Sequence, residues 1–373
     1  MPKDQDVTSQ SPERPAGRRA SSADVAALAK VSRATVSRCF TEGASVNAKT
    51  RERVVRAARD LGYEPNLLAR MLNKQESNIV AVITSNFANP FQPALMEALS
   101  SSLRAENLTP LLLKADSVFE SADSLIQLAL SYRVTAIVVT VLNASRHMIA
   151  RCFEAEVPLI FLNRVAEDTQ AISVCGNAQS GAYRVAEVLI DSGMRRIGMI
   201  TGTTGSWTNS MRRGGFRQRL DELGYDMLGA VQGDFSYASG HAAALSLMDR
   251  YPQLDAIYAC NDAMAFGAMD AIRTVRGGRV PDDIAVIGFD DVPMAEWGAY
   301  RLTTIHQPVG RLIEQTRQIL MRPDRGLALS REVFLYDGYL VQRATTPPVP
   351  LKPGDRDDST PFFIPSSDKG ISE

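Results

Sequence analysis

From residue 79 onward the chain alternates short apolar runs with longer amphipathic ones, and this alternation limits the fold more than any other feature. Apolar runs at 79–84, 111–114, 136–141, 159–162, 197–201, 256–260 and 284–288 are too short for buried helices, so they read as strands. Helical segments lie between them, among them 93–106, 180–192, 212–223, 240–249 and 263–276. A strand that returns parallel to its predecessor needs a long crossover, usually a helix. The pattern therefore predicts parallel sheets covered by helices on both faces. Roughly 270 residues of it exceed what one such sheet needs.

A different pattern precedes this body. Residues 21–61 predict three short helices. Ser21 and Asp24 have capping-box spacing, and Val25, Leu28 and Ala29 then recur at one-turn intervals. Ser32 can cap a second helix with Val36, Cys39 and Phe40 inward. Asn47 can cap a third, with Val54, Val55, Ala58 and Leu61 inward and Gly62 as its stop. The joint at 29–32 is as tight as that of a helix-turn-helix. On the second helix, Arg33, Ala34, Ser37 and Arg38 take the face opposite the apolar one. An arginine presented to the major groove can bind guanine O6 and N7 with two parallel hydrogen bonds. Ser32, Thr35, Ser37 and Asn47 are short polar side chains suited to phosphate oxygens. The alternative is an ordinary three-helix bundle with a solvated basic face.

Charge is distributed to match the first reading. The net charge is −1, but residues 1–75 carry 14 Lys and Arg against 8 Asp and Glu, a net +6 that leaves −7 on the remainder. A basic head on an acidic body suits a head that meets phosphate.

The stretches VSRATVSRCF (31–40) and TRERVVRAARDLGYEPNLLARML (50–72) resemble the lactose-repressor family of bacterial transcription regulators. The resemblance continues through Asn89-Pro90-Phe91, Asn261-Asp262, Gly288-Phe289-Asp290-Asp291 and 302–308, covering about 21–343. It implies an all-α helix-turn-helix head and an α/β body: a two-lobed fold like that of periplasmic binding proteins, with parallel sheets. Three strands would cross between the lobes, near 175–178, 306–308 and 334–337. The expected divisions are a disordered lead-in (1–20), the head (21–65), a hinge helix (66–77), an effector-binding and dimerisation body (78–346) and a disordered tail (347–373). The tail has no leucine heptad, which favours a homodimer over a tetramer.

The family likeness also implies roles. Leu72 would wedge into the minor groove at a central C-G step of a pseudo-palindromic operator, with Asn66 and Ala69 along the groove and Leu68 facing the partner helix. On residues alone, these leucines could equally pack on the large domain. Phe91, Gln92, Arg212, Phe235, Asn261 and Asp290 match positions that contact a small-molecule effector. Among their neighbours, Asp262 reads better as a helix cap, Asp291 as a loop partner, and Phe91 has a core alternative. The chain departs from the family at Lys30, where the helix joint usually has Gly, and at Thr41-Glu42, Asn163-Arg164 and Cys175-Gly176-Asn177. A Lys in that joint must take an unusual backbone conformation, at a cost on the order of 1 kcal/mol.

Other functions find less support. Gly202-Thr203-Thr204-Gly205-Ser206 lacks the Gly-Lys-Ser/Thr ending of a phosphate loop, and no dinucleotide fingerprint follows the first strand. Asp290 and Asp291 are adjacent at a strand end and point apart, which disfavours an acid/base pair. The four cysteines and three histidines lack metal-ligand spacing, so no metal and no cofactor are expected. No run approaches a membrane span, and no apolar segment follows Arg18-Arg19, which predicts a cytoplasmic protein. The competing class is a small-molecule binding protein without DNA function.

Overall fold

Each of the three head helices begins with a side chain satisfying a backbone N–H of its own first turn. The computed structural model describes residues 20–40, 44–64, 77–116, 121–140, 143–166, 171–322 and 332–357. It divides into two units, Met1–Ser77 and Asn78–Glu373. In the first, α1 (Ser22–Leu28) is opened by a reciprocal box: the Ser21 hydroxyl accepts from the Asp24 N–H, and the Asp24 carboxylate accepts from the Ser21 N–H at 2.8 Å. Ser32 Oγ accepts from the Thr35 N–H at 3.1 Å to open α2 (Arg33–Cys39), and Asn47 Oδ1 accepts from the Lys49 N–H at 2.9 Å to open α3 (Ala48–Leu61). Gly62 closes α3 in the left-handed region, φ 58°. Val25, Ala29, Val36, Cys39, Val54, Ala57 and Ala58 form the small core.

Two expected core residues face outward. Leu28 is 51% exposed because it ends α1 and the buried stripe runs beside it through Val25, Ala26 and Ala29. Val55 is 39% exposed because the buried stripe of α3 runs through Val54, Ala57 and Ala58, so Ala57 takes the inward place expected of Val55. Lys30 adopts φ 50°, the strained conformation its place in the joint demands.

The second unit is built on two parallel sheets. The first has the order β2 (Thr109–Lys114), β1 (Ile79–Thr84), β3 (Ala136–Val139), β4 (Leu159–Leu162), β5 (Ile172–Gly176) and β11 (Val333–Tyr336), every pair parallel. Its crossovers are α4 (Phe91–Ala105), α5 (Asp123–Ser131) and α6 (Arg146–Glu154). The second sheet runs β7 (Gly229–Gln232), β6 (Ile197–Thr201), β8 (Ala256–Ala259) and β9 (Ala285–Ile287), again all parallel. Its helices are α7 (Ala178–Asp191), α8 (Trp207–Leu223), α9 (Tyr237–Arg250) and α10 (Asp262–Asp270). A third, mixed sheet joins β10 (Thr304–His306), β12 (Tyr339–Gln342) and β13 (Arg356–Asp357). The helix α11 (Val309–Leu320) returns to pack on α4 and β5.

The chain thus passes between lobes three times, at Asn177, at Gln307-Pro308 and at Asp337-Gly338. The crossings touch one another. Asn177 Nδ2 donates to Asp337 Oδ1 at 2.8 Å. A Cβ on Gly176 would lie 2.9 Å from Gln307 Oε1, and one on Gly338 would lie 2.3 Å from the His306 carbonyl oxygen. Both glycines are what this close approach requires.

The expected disorder from residue 347 is corrected for 347–357, which packs on the second lobe. Asp355 accepts from Arg184 Nε and Nη2 at 3.0 and 2.7 Å and from the Leu340 N–H at 3.1 Å. Val349 is buried, and β13 pairs with β12. One carboxylate that satisfies a buried guanidinium anchors this aperiodic segment.

Candidate functional site

On α2, Val36 and Cys39 are buried while Arg33, Ala34, Ser37 and Arg38 are exposed together on the outer face. Ser32 and Thr35 are engaged locally: their hydroxyls lie 2.9 Å apart while Ser32 also caps the helix. Asn47 spends its side-chain oxygen on the α3 cap. Arg51, which periodicity does not single out, braces this surface from α3. Its Nη1 donates to the Cys39 carbonyl at 2.5 Å and its Nη2 to the Ala44 carbonyl at 2.9 Å, tying down the end of α2. Asn66, Ala69 and Leu72, with the whole expected hinge contact, lie outside the described residues, as do Thr41 and Glu42.

In the second unit a cavity of about 340 Å³ opens at the carboxyl ends of the strands of both sheets. Phe91 and Gln92 enter it from the start of α4, Arg212 from α8, Phe235 from the segment after β7, and Asp290 from the segment after β9. These five expected residues are therefore brought together. Phe91 is also a core residue, 3% exposed, and shows the cavity only part of its ring.

Asn261 is the exception and does not line the cavity. It is fully buried; its Oδ1 caps α10 through the Met264 N–H at 3.1 Å, and its Nδ2 donates to the Phe235 carbonyl at 3.0 Å. It thereby takes the cap expected of Asp262 and holds Phe235 at φ 70°. Asp262 instead accepts from Thr304 Oγ1 at 2.6 Å and the Val292 N–H at 2.9 Å. Burial, with the charge of Asp290 behind it, pushes the Asp262 carboxyl up to about 7. Asp291 is the loop partner expected of it, 2.8 Å from both His306 Nδ1 and Arg343 Nη1.

The polar centre of the cavity is a pair. Arg212 Nη2 donates to Asp290 Oδ1 at 2.8 Å, with the two side chains 4% and 2% exposed. Gln307 Nε2 donates to the same oxygen at 2.7 Å. Arg212 also donates through Nη1 to the Cys260 carbonyl, and its guanidinium lies 3.8 Å above the Phe289 ring. Burial raises the Asp290 carboxyl, while Arg212 and Gln307 oppose it. Both of these hydrogen bonds fall on Oδ1, and among the described residues no group donates to Oδ2.

Sequence reasoning missed much of the wall. Asn86, Asn89, Thr140, Asn143, Asn163, Arg164, Trp207 and Gln307 also line the cavity. Most follow directly on β1, β3 or β4, so the strand-end rule applied to every strand would have found them. Gln307 carries no such signal, because it reaches the site on an interlobe crossing. Asn86, Asn163, Phe235 and Asp290 all have positive φ, of 56°, 63°, 70° and 127°. Backbone strain of this kind gathers at ligand clamps.

Among the described residues no group of His, Cys, Asp and Glu could hold a metal ion, and no helix is long and apolar enough to cross a membrane. Burial pushes the thiols of Cys152 up to about 11 and of Cys175 and Cys260 to about 12, so none supplies a thiolate near neutral pH.

Comparison with known proteins agrees with this geometry. Residues 23–66 match the model of bacterial regulatory proteins of the lacI family, and 186–346 match a periplasmic binding protein-like domain. The HTH-type transcriptional regulator CelR of Thermobifida fusca is 32% identical over 307 residues, 80% of this chain and 89% of its own. The HTH-type transcriptional repressor PurR of Vibrio atlanticus (strain LGP32) is 27% identical over 327 residues, 86% of this chain and 97% of its own. The Lac repressor dimer bound to operator and an anti-inducer superposes with a TM-score of 0.77 at 28% identity, over 88% of this chain and 99% of that one. With a capped recognition-type helix ahead of a two-lobed body, and with CelR alike over most of both chains, the protein belongs to the lacI family of bacterial regulatory proteins.

Proposed function

We propose that the chain is a homodimeric, sequence-specific DNA-binding transcription regulator whose hold on a pseudo-palindromic operator is set by a small polar effector in the cleft. The observation that carries the DNA reading is α2: Arg33, Ala34, Ser37 and Arg38 stand exposed on one face of a helix capped at its start and braced at its end by Arg51. Arg33 and Arg38 read base edges, and Ala34 offers apolar contact to a thymine methyl. Ser32, Thr35, Ser37 and Asn47 meet phosphate oxygens. Asn66, Ala69 and Leu72 follow the minor groove, Leu72 as the wedge. The protein acts as a repressor, since occupancy of DNA blocks polymerase without further contacts; the relative PurR is named a repressor.

Phe91, Gln92, Arg212, Phe235 and Asp290 hold the effector, and Asn261 acts through Phe235. A hydroxyl-rich ring is the first choice. Asp290 Oδ2 can accept a hydroxyl hydrogen, and Asn, Gln and Thr side chains ring the rest of the cavity. A flat purine-like ring is second, because Phe91, Phe235 and Trp207 supply aromatic faces. Effector binding alters operator affinity only through unequal affinity for two lobe arrangements. Neither Asp290 nor Asp291 is given a catalytic step, since each is tied to an arginine. The test is a gel shift on DNA flanking the protein's own gene, titrated with candidate ligands. A discrete, competitor-resistant complex whose midpoint moves with one ligand class is expected. Binding no tighter than to random DNA would refute the regulator reading.

A further inference from the structure

The charge of the head is not spread evenly along it. Residues 1–13 carry one Lys against three Asp and Glu, a net −2. Residues 14–41 carry six Lys and Arg against a single acid, Asp24, a net +5. Residues 42–64 carry five against four, a net +1. The sign reverses between Glu13 and Arg14, and the basic stretch runs from there through α1 and α2. Its one acid is turned onto its own helix start: the Asp24 carboxylate accepts from both the Ser21 N–H and the Ser21 hydroxyl at 2.8 Å. Among the described residues from 22 to 32, those exposed are Ala23, Ala27, Leu28, Lys30 and Ser32, with no carboxylate on that surface.

Arg14, Arg18 and Arg19 open this stretch, and the reading of α2 gives them no task. They lie ahead of the family match at 23–66 and outside the described residues. Their anchor is described: the chain becomes helix at Ser22, capped by Ser21. α1 has seven residues and so spans about 10 Å. Its start therefore stands about 10 Å from the joint that sets α2 in the major groove, and in this motif the first helix crosses the DNA backbone. An extended chain covers ~3.3 Å per residue, so Arg18 and Arg19 reach ~7–10 Å from Ser21 and Arg14 reaches ~23 Å. Half a turn of B-DNA is ~17 Å, which brings the next minor groove within that span. Pro15, Ala16 and Gly17, between the arginines, are small enough to follow a groove ~6 Å wide. All three cations are Arg, which is more weakly hydrated than Lys and suits insertion into a narrow minor groove.

We infer that residues 14–19 are a second DNA-binding arm: Arg14, Arg18 and Arg19 lie in the minor groove flanking each half-site, on the side away from the hinge. The inference rests on the operator reading above, in which the hinge segment takes the central minor groove. The test compares the full chain with the triple variant Arg14→Ala, Arg18→Ala, Arg19→Ala on DNA flanking the protein's own gene. Affinity is measured against KCl concentration, and the complex is footprinted with hydroxyl radicals, which report access to the minor groove. Each phosphate charge neutralised adds ~0.9 to the slope of log affinity on log salt, so two arms of three arginines add about 5. The variant is expected to show a slope shallower by two or more. It should also lose protection at both outer flanks and keep it at the centre, which reports that the head still folds. A slope within two of the full chain's, or protection lost at the centre instead, overturns the arm and leaves the operator reading standing. No discrete footprint from the unmodified chain overturns the operator reading, and the arm with it.

Discussion

Gly202 is the position where the smallest change should be felt most. It follows directly on β6, and the Phe235 ring lies on it: a Cβ there would stand 2.0 Å from Cζ and 2.4 and 2.5 Å from Cε1 and Cε2. Carbon atoms in contact prefer ~3.5–4.0 Å, so Gly202→Ala requires the ring to retreat by about 1.5–2 Å. The retreat is not free. Phe235 is already at φ 70°, and its carbonyl is held by Asn261 at 3.0 Å. Overpacking of this kind costs ~1–3 kcal/mol. The measurement is a double-mutant cycle of Gly202→Ala and Phe235→Ala by urea unfolding, in a Trp297→Phe background so that Trp207 is the sole reporter. Gly202→Ala alone should lose ~1–3 kcal/mol, and almost none of that should remain once the ring is gone. Additivity within ~0.5 kcal/mol would mean that the ring does not rest on Gly202, and the account of how the cavity wall is held would fail.

Arg38→Ala should cost ~1–3 kcal/mol of operator affinity and relax the preference at one base pair, measured by competition against single-base variants; equal losses on operator and random DNA would make Arg38 a phosphate contact instead. Arg212→Ala strands a buried carboxylate and should destabilise the fold by ~3–5 kcal/mol, with part recovered by adding Asp290→Asn, both read by chemical unfolding. Asp262 titrates at 3.8 in an unstructured chain and near 7 when folded, so the folded state holds its proton more tightly. Its contribution is therefore full below about pH 4 and declines as pH rises to about 7. Asp262→Asn, which can still accept from Val292 and pair with the Thr304 hydroxyl, should flatten the stability profile across that window; parallel profiles would count against this. Asp355→Ala removes the anchor of the C-terminal segment, and hydrogen exchange at 339–342 and 349–357 should accelerate at least 10-fold while β6 and β8 are unaffected.

The parts of this protein that were legible in its sequence are those decided within a few residues. The caps at Ser21, Ser32 and Asn47 are local hydrogen bonds, and each forms as its spacing foretold. The strain at Lys30 was legible for the same reason. Val55 and Ala57 were exchanged because they stand two residues apart, on opposite edges of the stripe through Val54 and Ala58, and only the placement of the neighbouring helices decides which edge is covered. At the cleft, following a strand end told which loops matter but not which way each side chain turns. Phe91, Arg212 and Asp290 point to the cavity, whereas Asn261, equally well placed along the chain, turns back to cap its helix. Gln307 and Asp355 were illegible because their partners, Asp290 and Arg184, lie 17 and 171 residues away.

The three adjacent crossings carry a consequence for how this chain can be made. The first sheet takes five strands from residues 79–176, but its edge strand β11 comes only at 333–336, after all of β6 to β10. The second lobe likewise waits for β12 and the segment to Asp355 to cover α7. On a ribosome, therefore, neither lobe has its full set of strands until translation has passed residue 336, while the head has long since emerged. A release of synthesis between 233 and 284 would yield a folded head on two incomplete sheets, each with an uncovered edge open to another chain. Cutting the gene at a lobe boundary cannot produce either lobe whole, whereas rejoining 79–176 to 309–336 through a short linker would assemble the first lobe from its own pieces.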